Sequence, residues 1–527
     1  MGIFTFMPSG AGGIIVRVET DIRRGIPGVD ISGLAEGAVR EARDRVRAAF
    51  RNSGFSFPLD RILINLAPAG LKKDGAALDL PIALSVMAAA ELVAVTGDLL
   101  IMGELELSGR IRPVRGVLAA VAAGLAEGIR EFIVPAQNSA EAAILTDKGA
   151  RFTAAENLQG AVHALVMREK NGVLPETLDE VFSSTVPIAA EAARTEDCGD
   201  FSDVKGQTIY KRALEIAAAG GHNTLVFGPP GAGKTMLARR MPSIMAPLSP
   251  DEAVEVTKLH SLAGPRNGFI DKLITKPPFR APHHTASAEG VLGGGRIPRP
   301  GEISLAHFGV LFLDEAPEFK INVLQALREP LEDRVISIVR AEGPVRLPAE
   351  FQLLLTANSC RCGRLGLHGT ENACLCSPQE INSYWRKFGG ALLDRVEIRT
   401  AILPPKIEEM SVRSNSGGGE KSAAIASRVR AAVEIQRNRF KGTSIRRNAM
   451  LPAGKTAALC PMSEKAESAF HTAVSKLGLS GRAYHGILRV ARTIADLEGK
   501  DVLETEHILE AVQHRRLGED PWDILSI

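Results

Sequence analysis

The chain has 527 residues, of which 45% are hydrophobic and 24% are charged, and its formal net charge is +2. This length exceeds what a single hydrophobic core fills, so roughly two to four domains are expected. A net charge so close to zero excludes nucleic-acid binding through the overall field of the protein and leaves only local basic patches for that purpose.

The cellular location is predicted from features that the sequence lacks. The first residues show neither the basic segment nor the long apolar run of a signal peptide. The longest apolar stretch, Leu80–Ala90, is shorter than a membrane span and is followed by Glu91, so we interpret it as a buried helix. Six cysteines in so long a chain do not make a disulfide framework. We therefore expect a cytoplasmic protein with no membrane segment.

Residues 1–166 are predicted to form a compact α/β domain. Arg61–Leu66 and Glu131–Val134 have the composition of short strands. Glu36–Arg51 and Val117–Ala126 have the composition of helices.

Three further regions are predicted from changes in composition. Residues 167–202 contain two prolines and several acids and are interpreted as a linker. Residues 203–403 alternate β-like runs with helices, as in a parallel sheet with crossover helices. Residues 404–527 include a glycine run and then become mostly helical. Apolar positions at helical spacing in this last region are Ile487, Leu488, Val490, Ala491, Ile494 and Leu497.

One stretch of the central region fits the phosphate-binding pattern G-x-x-x-x-G-K-[ST] at every fixed position. It follows Thr224–Phe227, a predicted strand, and precedes Met236–Arg240, a predicted helix start. Its glycines would let backbone N–H groups surround phosphate oxygens, while Lys234 would reach the β- and γ-phosphates and Thr235 would hold Mg²⁺. The stretch therefore predicts binding of a nucleoside triphosphate. Its members are Gly228, Pro229, Pro230, Gly231, Ala232, Gly233, Lys234 and Thr235.

Two basic segments follow and are candidates for substrate contact. Residues 279–299 end in a glycine-rich stretch. Val323–Leu331 is predicted to form one helix, and residues 334–347 after it are predicted to form a β-hairpin with a Gly-Pro turn. Their arginines would contact phosphates without reading sequence; the alternative is a solvated charged loop. The arginines concerned are Arg296, Arg299, Arg340 and Arg346.

Polar residues also end two apolar runs of the central region. The run Gly309–Leu313 is followed by Asp314, which would help position Mg²⁺, and by Glu315, which would activate the attacking water as a general base. The run Leu353–Ala357 is followed by Asn358, which could orient that water or simply occupy a turn.

Four of the six cysteines lie close together, as the pairs Cys360 with Cys362 and Cys374 with Cys376. Two close pairs separated by a loop are typical of a structural Zn²⁺ site with four thiolates. The single residue within each pair is a tighter spacing than the usual two to four. Both a Zn²⁺ site and free thiols in a surface loop agree with this pattern.

Arginines near the end of the chain could stabilise a γ-phosphate. Arg395 follows an apolar turn and Arg482 begins a long helix, although other surface arginines share such settings. A further basic run is interpreted as a solvated helix face in preference to a phosphate-binding surface. This run consists of Arg428, Arg430, Arg437, Arg439, Lys441, Arg446 and Arg447.

These motifs together resemble those of the YifB/ComM proteins, which are bacterial AAA+ ATPases related to the ATPase subunit of magnesium chelatase. The resemblance covers nearly the whole chain and implies an α/β fold in three parts. These parts are a Lon-protease-like domain of the ribosomal S5 domain 2 type, an AAA+ P-loop core and a helical lid. The stretches that carry it are Gly220–Leu225, Gly228–Thr235, Pro300–His307, Gly309–Glu315, Thr356–Asn358 and Gly481–His485.

The resemblance also implies roles for individual residues. Asn358 matches sensor 1, Arg395 the arginine finger and Arg482 sensor 2, while Gln207 lies where the family approaches the adenine. An arginine finger acts across a subunit boundary, so a homo-hexameric ring that uses ATP and Mg²⁺ is implied. The two basic segments match inserts that line the pore of such a ring.

The amino-terminal domain departs from active Lon proteases, which use a Ser and Lys pair. Ala77 stands at the nucleophile position and Leu118 at the Lys position. Neither side chain can attack a carbonyl or accept a proton, so no peptidase activity is expected. The domain would then serve as a scaffold or a docking surface.

The function implied by the resemblance is a motor that hydrolyses ATP to drive DNA branch migration in recombination and transformation. The alternative is a chelatase-like or chaperone-like ATPase that remodels proteins.

Overall fold

The computed structural model describes residues 2–33, 37–70, 73, 75–176, 199–264, 270–295, 298–340, 343–366, 373–404 and 419–516. The chain forms an amino-terminal α/β region, a central α/β region and a carboxyl-terminal helical region. Across these ranges, no helix has the length and apolarity that a membrane crossing requires.

The amino-terminal region is built on a mixed sheet with the strand order β3-β4-β2-β1-β5-β8-β9. The strands are β1 Gly2–Ser9, β2 Gly12–Arg23, β3 Gly28–Ser32, β4 Arg61–Ala67, β5 Asp98–Ile101, β6 Glu104–Leu105, β7 Ile111–Arg112, β8 Glu131–Pro135 and β9 Arg151–Ala155. The helices are α1 Gly37–Asn52, α2 Asp79–Ala89, α3 Val117–Ala126, α4 Ser139–Ala143 and α5 Leu158–Asn171.

The strands and helices predicted for this region are confirmed to within one or two residues at their ends. The predicted buried helix is α2, which is buried without a break from Asp79 to Met87. A helix that is apolar on all sides has to be covered on all sides, so α2 belongs to the core of the region. Helix α5 continues past residue 166, where the domain boundary is predicted.

The central region is built on a parallel sheet of five strands in the order β11-β14-β17-β10-β18. The strands are β10 Thr224–Phe227, β11 Phe279–Arg280, β12 Gly293–Gly294, β13 Arg299–Pro300, β14 Val310–Leu313, β15 Val335–Arg340, β16 Gly343–Pro348, β17 Gln352–Ala357 and β18 Ile398–Ala401. The helices are α6 Thr208–Gly220, α7 Lys234–Ala238, α8 Pro250–Ala263, α9 Ala288–Leu292, α10 Glu302–Leu305, α11 Ile321–Ala326, α12 Arg328–Asp333, α13 Pro378–Arg386 and α14 Gly390–Leu393.

The position of the site follows from this parallel sheet. Every residue of β10, β14, β17 and β18 is buried, as expected for strands covered by helices on both faces. Parallel strands end at the same edge of the sheet, and ligands of such sheets bind at the carboxyl ends of the strands. The phosphate-loop stretch, Asp314 and Asn358 follow three strands that are neighbours in the sheet.

Two local predictions for the central region are wrong. The predicted hairpin is β15 with β16, but Gly343 and Pro344 pair with Arg340 and Val339 and do not form the turn. This register leaves only residues 341–342, which lie outside the described residues, to connect the strands, and two residues suffice for a hairpin. The single helix expected over residues 323–331 is two helices, α11 and α12.

Pro330 explains the break between these helices. Proline has no N–H to continue the hydrogen-bond ladder of α11, but it is tolerated in the first turn of a helix, where that donor is not needed. Pro330 lies in the first turn of α12. The chain therefore starts a new helix and does not extend the earlier one.

The carboxyl-terminal region is helical, as predicted. Its helices are α15 Ser422–Arg439, α16 Ala453–Leu459, α17 Glu464–Leu477, α18 Gly481–Leu497 and α19 Thr505–Arg516. Five of the six predicted apolar positions are buried, and Leu497 packs at the edge of the same apolar cluster. This cluster also contains residues of α6, so the helical region shares a core with the central sheet.

Short 3₁₀ turns lie at Ala76–Leu78, Ala136–Asn138, Thr146–Lys148, Phe201–Asp203, Met241–Ser243, Ala316–Glu318 and Asn448–Met450.

Candidate active site

The phosphate-loop stretch joins β10 to α7 in the strand–loop–helix arrangement that the sequence predicted. Gly231 and Gly233 have φ angles of 79° and 87°, which residues with a Cβ adopt only with strain. At Gly228, a Cβ would lie 2.1 Å from the carbonyl oxygen of Ile402. Glycine is therefore required by the backbone of this loop at Gly228 and Gly233, the fixed positions of the pattern, and also at Gly231.

Lys234 is the central cation of the site. Its Nζ donates hydrogen bonds to the carbonyl oxygens of Gly228 at 2.7 Å and Pro229 at 2.9 Å, and to Asn358 Oδ1 at 3.1 Å. Burial lowers the pKa of Lys234 to about 8, against the opposing effect of the carboxylates of Asp314 and Glu315. A partly desolvated ammonium group that faces neutral oxygens is well suited to receive an anion.

Asp314 and Glu315 follow β14 and differ in their surroundings. Asp314 Oδ1 accepts hydrogen bonds from Thr235 Oγ1 at 3.0 Å and from Thr356 Oγ1 at 2.5 Å. Glu315 has a left-handed backbone with a φ of 50°, its N–H donates to Thr356 Oγ1 at 3.0 Å, and the residue is exposed. Strained backbone of this kind clusters at functional sites. One carboxylate is thus held beside the loop threonine, while the other stays accessible to solvent.

Thr356 is a site residue to which sequence reasoning assigned no role. It lies two residues before Asn358 on the same strand, and its hydroxyl links Asp314 to the backbone of Glu315. The sequence could have indicated this role, because Thr356 ends a predicted buried strand. Side chains of a strand alternate between its two faces, so Thr356 and Asn358, two residues apart, point to the same side.

Gln207 lies next to the phosphate loop but uses its side chain within the protein. Its Nε2 donates to the carbonyl oxygens of Ala232 at 3.1 Å and Leu403 at 2.7 Å. The buried Tyr210 hydroxyl donates to the carbonyl oxygen of Lys234 at 3.1 Å. Gln207 and Tyr210 thus attach the phosphate loop to α6. The predicted contact of Gln207 with adenine is not tested by these hydrogen bonds and stays a prediction.

The two candidate arginines meet at one carboxylate. Arg395 Nη2 lies 2.7 Å from Glu332 Oε1, and Arg482 Nη2 donates to the same oxygen. The side chain of Glu332 is 45% exposed and that of Arg482 41%, whereas that of Arg395 is only 14% exposed. Sequence reasoning missed Glu332, because it lies 150 residues from Arg482 along the chain.

The candidate substrate arginines lie on two adjacent hairpins. Arg299 and Arg346 are exposed, on β13 and β16 respectively. A Cβ at Gly293 of the first hairpin would lie 3.1 Å from Leu347 Cδ1 of the second, so the hairpins touch. Arg296 lies outside the described residues, and so does the side chain of Arg340.

Four of the seven residues in the basic run of the helical region form ion pairs, and only Arg430 and Lys441 are exposed, so the interpretation as a solvated face is wrong. Arg428 contacts Glu215 at 2.5 Å, Arg439 contacts Asp496 at 2.6 Å, and Arg446 contacts Glu252 at 3.1 Å. Glu215 and Glu252 come from the central region, and Asp496 lies 57 residues from Arg439, so a local search for opposing charges does not find them. Ion pairing neutralises much of the charge that would attract DNA.

The four clustered cysteines converge in space. Their Sγ atoms all lie within 4.8 Å of one another. Cys360 Sγ is 3.3 Å from Cys362 Sγ, and both atoms are 3.6 Å from Cys374 Sγ. The loop that carries Cys362 also reaches the phosphate loop, since a Cβ at Gly363 would lie 2.9 Å from Pro230 Cδ.

Three family models match the chain, and all three describe magnesium chelatase. The model "Magnesium chelatase, subunit ChlI" matches residues 200–410. The model of the ChlI carboxyl-terminal part matches residues 419–515, and a further model of subunit ChlI matches residues 18–138. The matched ranges take in most of the central sheet and of the helical region.

Similarity to individual proteins extends over nearly the whole chain. The competence protein ComM of Haemophilus influenzae is 40% identical over 505 residues, which is 95% of each chain. The YifB protein of Escherichia coli is 39% identical over 506 residues, covering 95% of this chain and 94% of its own. Lon protease 2 of Bacillus subtilis shows a partial similarity, 30% identity over 141 residues, which is 26% of each chain.

Proposed function

The chain belongs to the YifB/ComM family of magnesium chelatase-like AAA+ proteins, and we propose that it is an ATP-driven motor that acts on DNA. One observation carries the proposal: Lys234, Asp314 and Asn358 follow neighbouring parallel strands and lie around one phosphate loop. Such a constellation positions a triphosphate and stabilises charge that develops during phosphoryl transfer.

Each residue of the constellation has a role in hydrolysis under this proposal. The loop N–H groups and Lys234 would hold the phosphates. Thr235 and Asp314 would hold Mg²⁺, which neutralises phosphate charge when bound. The exposed carboxylate of Glu315 would take a proton from the attacking water, and Asn358 would orient that water.

The same proposal makes the catalytic site a shared one. AAA+ proteins commonly assemble as hexamers, and Arg395 would complete the site of a neighbouring subunit, with Arg482 acting as sensor 2. In the single chain, both guanidinium groups bind Glu332, so they already lie together on one surface. Phosphate oxygens would replace this carboxylate when the ring forms, since carboxylates and phosphates both accept paired hydrogen bonds from the planar guanidinium group.

DNA is the proposed substrate, and branch migration in recombination and transformation is the proposed work. The name of the Haemophilus influenzae relative, competence protein, supports this choice. The exposed Arg299 and Arg346 on adjacent hairpins support a phosphate contact that does not read sequence. The match to magnesium chelatase favours a second candidate, an ATPase that remodels a protein partner.

DNA-stimulated ATP hydrolysis separates these two candidates. We expect forked or four-way DNA to raise the turnover of the full chain, and to do so less at high salt. The double variant Arg299→Ala with Arg346→Ala should lose most of this stimulation. Arg51→Ala, which removes an exposed arginine of the amino-terminal region, is the matched control and should keep it. Turnover that no DNA changes, together with stimulation by a protein partner, would favour the remodelling ATPase.

The cysteine cluster is proposed to hold one Zn²⁺ ion. A tetrahedral site with Zn–S distances of about 2.3 Å places its sulfur atoms about 3.8 Å apart. The separations of 3.3 and 3.6 Å among three of the sulfur atoms come close to this value, and all four lie within 4.8 Å of one another. Because the cluster follows Asn358 and its loop reaches Pro230, the ion would stiffen this side of the phosphate loop.

Metal content tests the zinc proposal directly. We expect about one Zn²⁺ per chain after purification, and its loss in Cys374→Ser. Cys460→Ser alters a buried cysteine outside the cluster and should leave the metal in place. A metal-free protein in which all four thiols react freely would show that the cluster is a group of free cysteines.

A further inference from the structure

The degenerate protease site of the amino-terminal domain is filled in this structure. Ala77 and Leu118 stand where active Lon proteases have their Ser and Lys, and both pack into one apolar cluster. Leu118 is completely buried. The same cluster includes Leu262, which belongs to α8 of the ATPase core and is 3% exposed. A helix of the ATPase core therefore covers the site.

The contact between α8 and the start of α3 is close on both sides. A Cβ at Gly116, directly before α3, would lie 3.1 Å from Leu262 Cδ2. A Cβ at Gly264, directly after α8, would lie 2.3 Å from Arg115 Cδ. Both glycines have positive φ angles, of 79° and 85°. Glycine is thus required at both ends of the contact, for its conformation and at Gly264 also for its size.

A buried carboxylate joins the two domains at the same place. Glu141 is 2% exposed and accepts hydrogen bonds from the N–H of Leu118 at 2.9 Å and from Asn138 Nδ2 at 3.0 Å. Its third donor is the hydroxyl of Ser261 on α8. Because a buried carboxylate is costly without such partners, the ATPase core completes a polar site of the amino-terminal domain.

A second contact lies between the β1–β2 turn and the hairpin that carries Arg346. Gly10 in this turn has a φ of 62°, and a Cβ there would lie 2.5 Å from Val345 Cγ1 and 3.4 Å from the carbonyl oxygen of Arg346. Ala11 packs against the apolar cluster that contains Leu347. The amino-terminal domain therefore reaches one of the two hairpins proposed to contact DNA.

Helix α8 connects this joint to the helical lid. Glu252 near its start pairs with Arg446 of the lid at 3.1 Å, and Glu255 pairs with His307 at 3.2 Å. The start of α8 is fixed by a reciprocal cap, in which Ser249 N–H donates to Glu252 Oε2 at 2.8 Å. Helix α8 thus contacts the lid through its first turn and the amino-terminal domain through its last turn.

We propose that the Lon-like domain is an internal brace. Its former catalytic site is the socket for the end of α8, and its β1–β2 turn supports the β15–β16 hairpin from behind. The domain then transmits movement of the lid to that hairpin through α8. This role needs no peptide substrate, and it holds whether or not the hairpin contacts DNA.

Hydrogen exchange of the full chain, without nucleotide or DNA, tests the brace. Leu262→Ser replaces the apolar side chain that packs in the socket with a small polar one. We expect amides at the start of α3 and in the β15–β16 hairpin to exchange about tenfold faster, because both lose a partner that restrains local opening. Amides of β10 and β14 should be unchanged, since these strands are buried within the central sheet.

Two further variants complete this test. Leu107→Ser makes the same change at a position that is 57% exposed and should alter neither segment. Ser261→Ala removes only the hydroxyl that donates to Glu141, so it should act in the same direction with a smaller effect and without disturbing the helix. Faster exchange in α3 with an unchanged hairpin would overturn the brace. Unchanged exchange in both segments would show that α8 does not fill the socket in solution.

Discussion

The two α/β regions of this chain contrast in what lies at their catalytic positions. In the ATPase core, Lys234 donates a hydrogen bond to Asn358, and Asp314 accepts one from Thr235. In the Lon-like domain, Ala77 and Leu118, which the resemblance to Lon proteases aligns with the reactive Ser and Lys, lie in an apolar cluster. Under the proposed brace, an apolar cleft at this position serves as a surface that the neighbouring domain covers.

The largest expected effect is on hydrolysis in the ATPase core. Glu315→Gln removes the proposed general base but keeps the shape of the side chain, so we expect turnover to fall by about 10²–10⁴-fold while nucleotide still binds. Steady-state ATPase assays and binding of a fluorescent nucleotide check the two parts of this expectation.

Glu318→Gln provides the matched control for this variant. Glu318 is exposed and lies three residues further along the chain, so its substitution should leave turnover close to that of the wild type. Equal losses in both variants would mean that the effect reflects local charge and not proton transfer.

The next expected effect is on stability in the Lon-like domain. Leu118→Ala creates a cavity in a completely buried cluster and should destabilise this domain by about 2–5 kcal/mol, with ATP hydrolysis by the folded protein retained. The urea dependence of hydrogen exchange in α3 measures the change. Leu107→Ala, at an exposed site, should stay within about 0.5 kcal/mol of the wild type. If Leu118→Ala abolished ATP hydrolysis without lowering the stability of the domain, Leu118 would matter for hydrolysis and not for packing.

The smallest expected effect is a pH dependence of nucleotide binding. Lys234 has a pKa of about 8 in the free protein, lowered by burial, and triphosphate oxygens would favour its charged form. Below this pH the lysine is already protonated, so the affinity for a non-hydrolysable ATP analogue should be flat. Above it, binding must take up a proton, so the affinity should fall by up to about tenfold per pH unit.

Calorimetry in buffers of different ionisation enthalpy would detect that proton uptake. Lys234→Arg keeps its charge over the whole range, so its weaker binding should not show this pH dependence. An affinity of the wild-type protein that is constant well above pH 8 would contradict either the lowered pKa of Lys234 in the free protein or its contact with the phosphates.

Sequence patterns predicted the parts of the site that depend on local order. The phosphate loop, Asp314 and Asn358 each follow an apolar strand, and parallel strands end at one edge of a sheet. The apolar run before each of these three features therefore suffices to place it at that edge of the sheet. Apolar runs predicted five strands of the two α/β regions, namely β4, β8, β10, β14 and β17.

Contacts between distant segments could not be predicted in this way. Glu332 binds Arg395 and Arg482, and Leu262 packs in an apolar cluster of a different domain. Neither residue stands in a pattern that distinguishes it from an ordinary helical Glu or Leu. The partner of each is set by tertiary packing, which overrides local signals in the sequence.

Mixed assemblies test most directly the claim that each catalytic site is shared between two subunits. Arg395→Ala and Glu315→Gln should each be nearly inactive alone, because every site then lacks one essential group. After random co-assembly, about a quarter of the sites would combine an intact Glu315 with an intact Arg395 from the neighbour, as the head-to-tail interface of a ring requires. We predict that the mixture regains ATP hydrolysis toward this fraction of the wild-type rate. A mixture that forms rings and stays as inactive as its components would contradict the shared site.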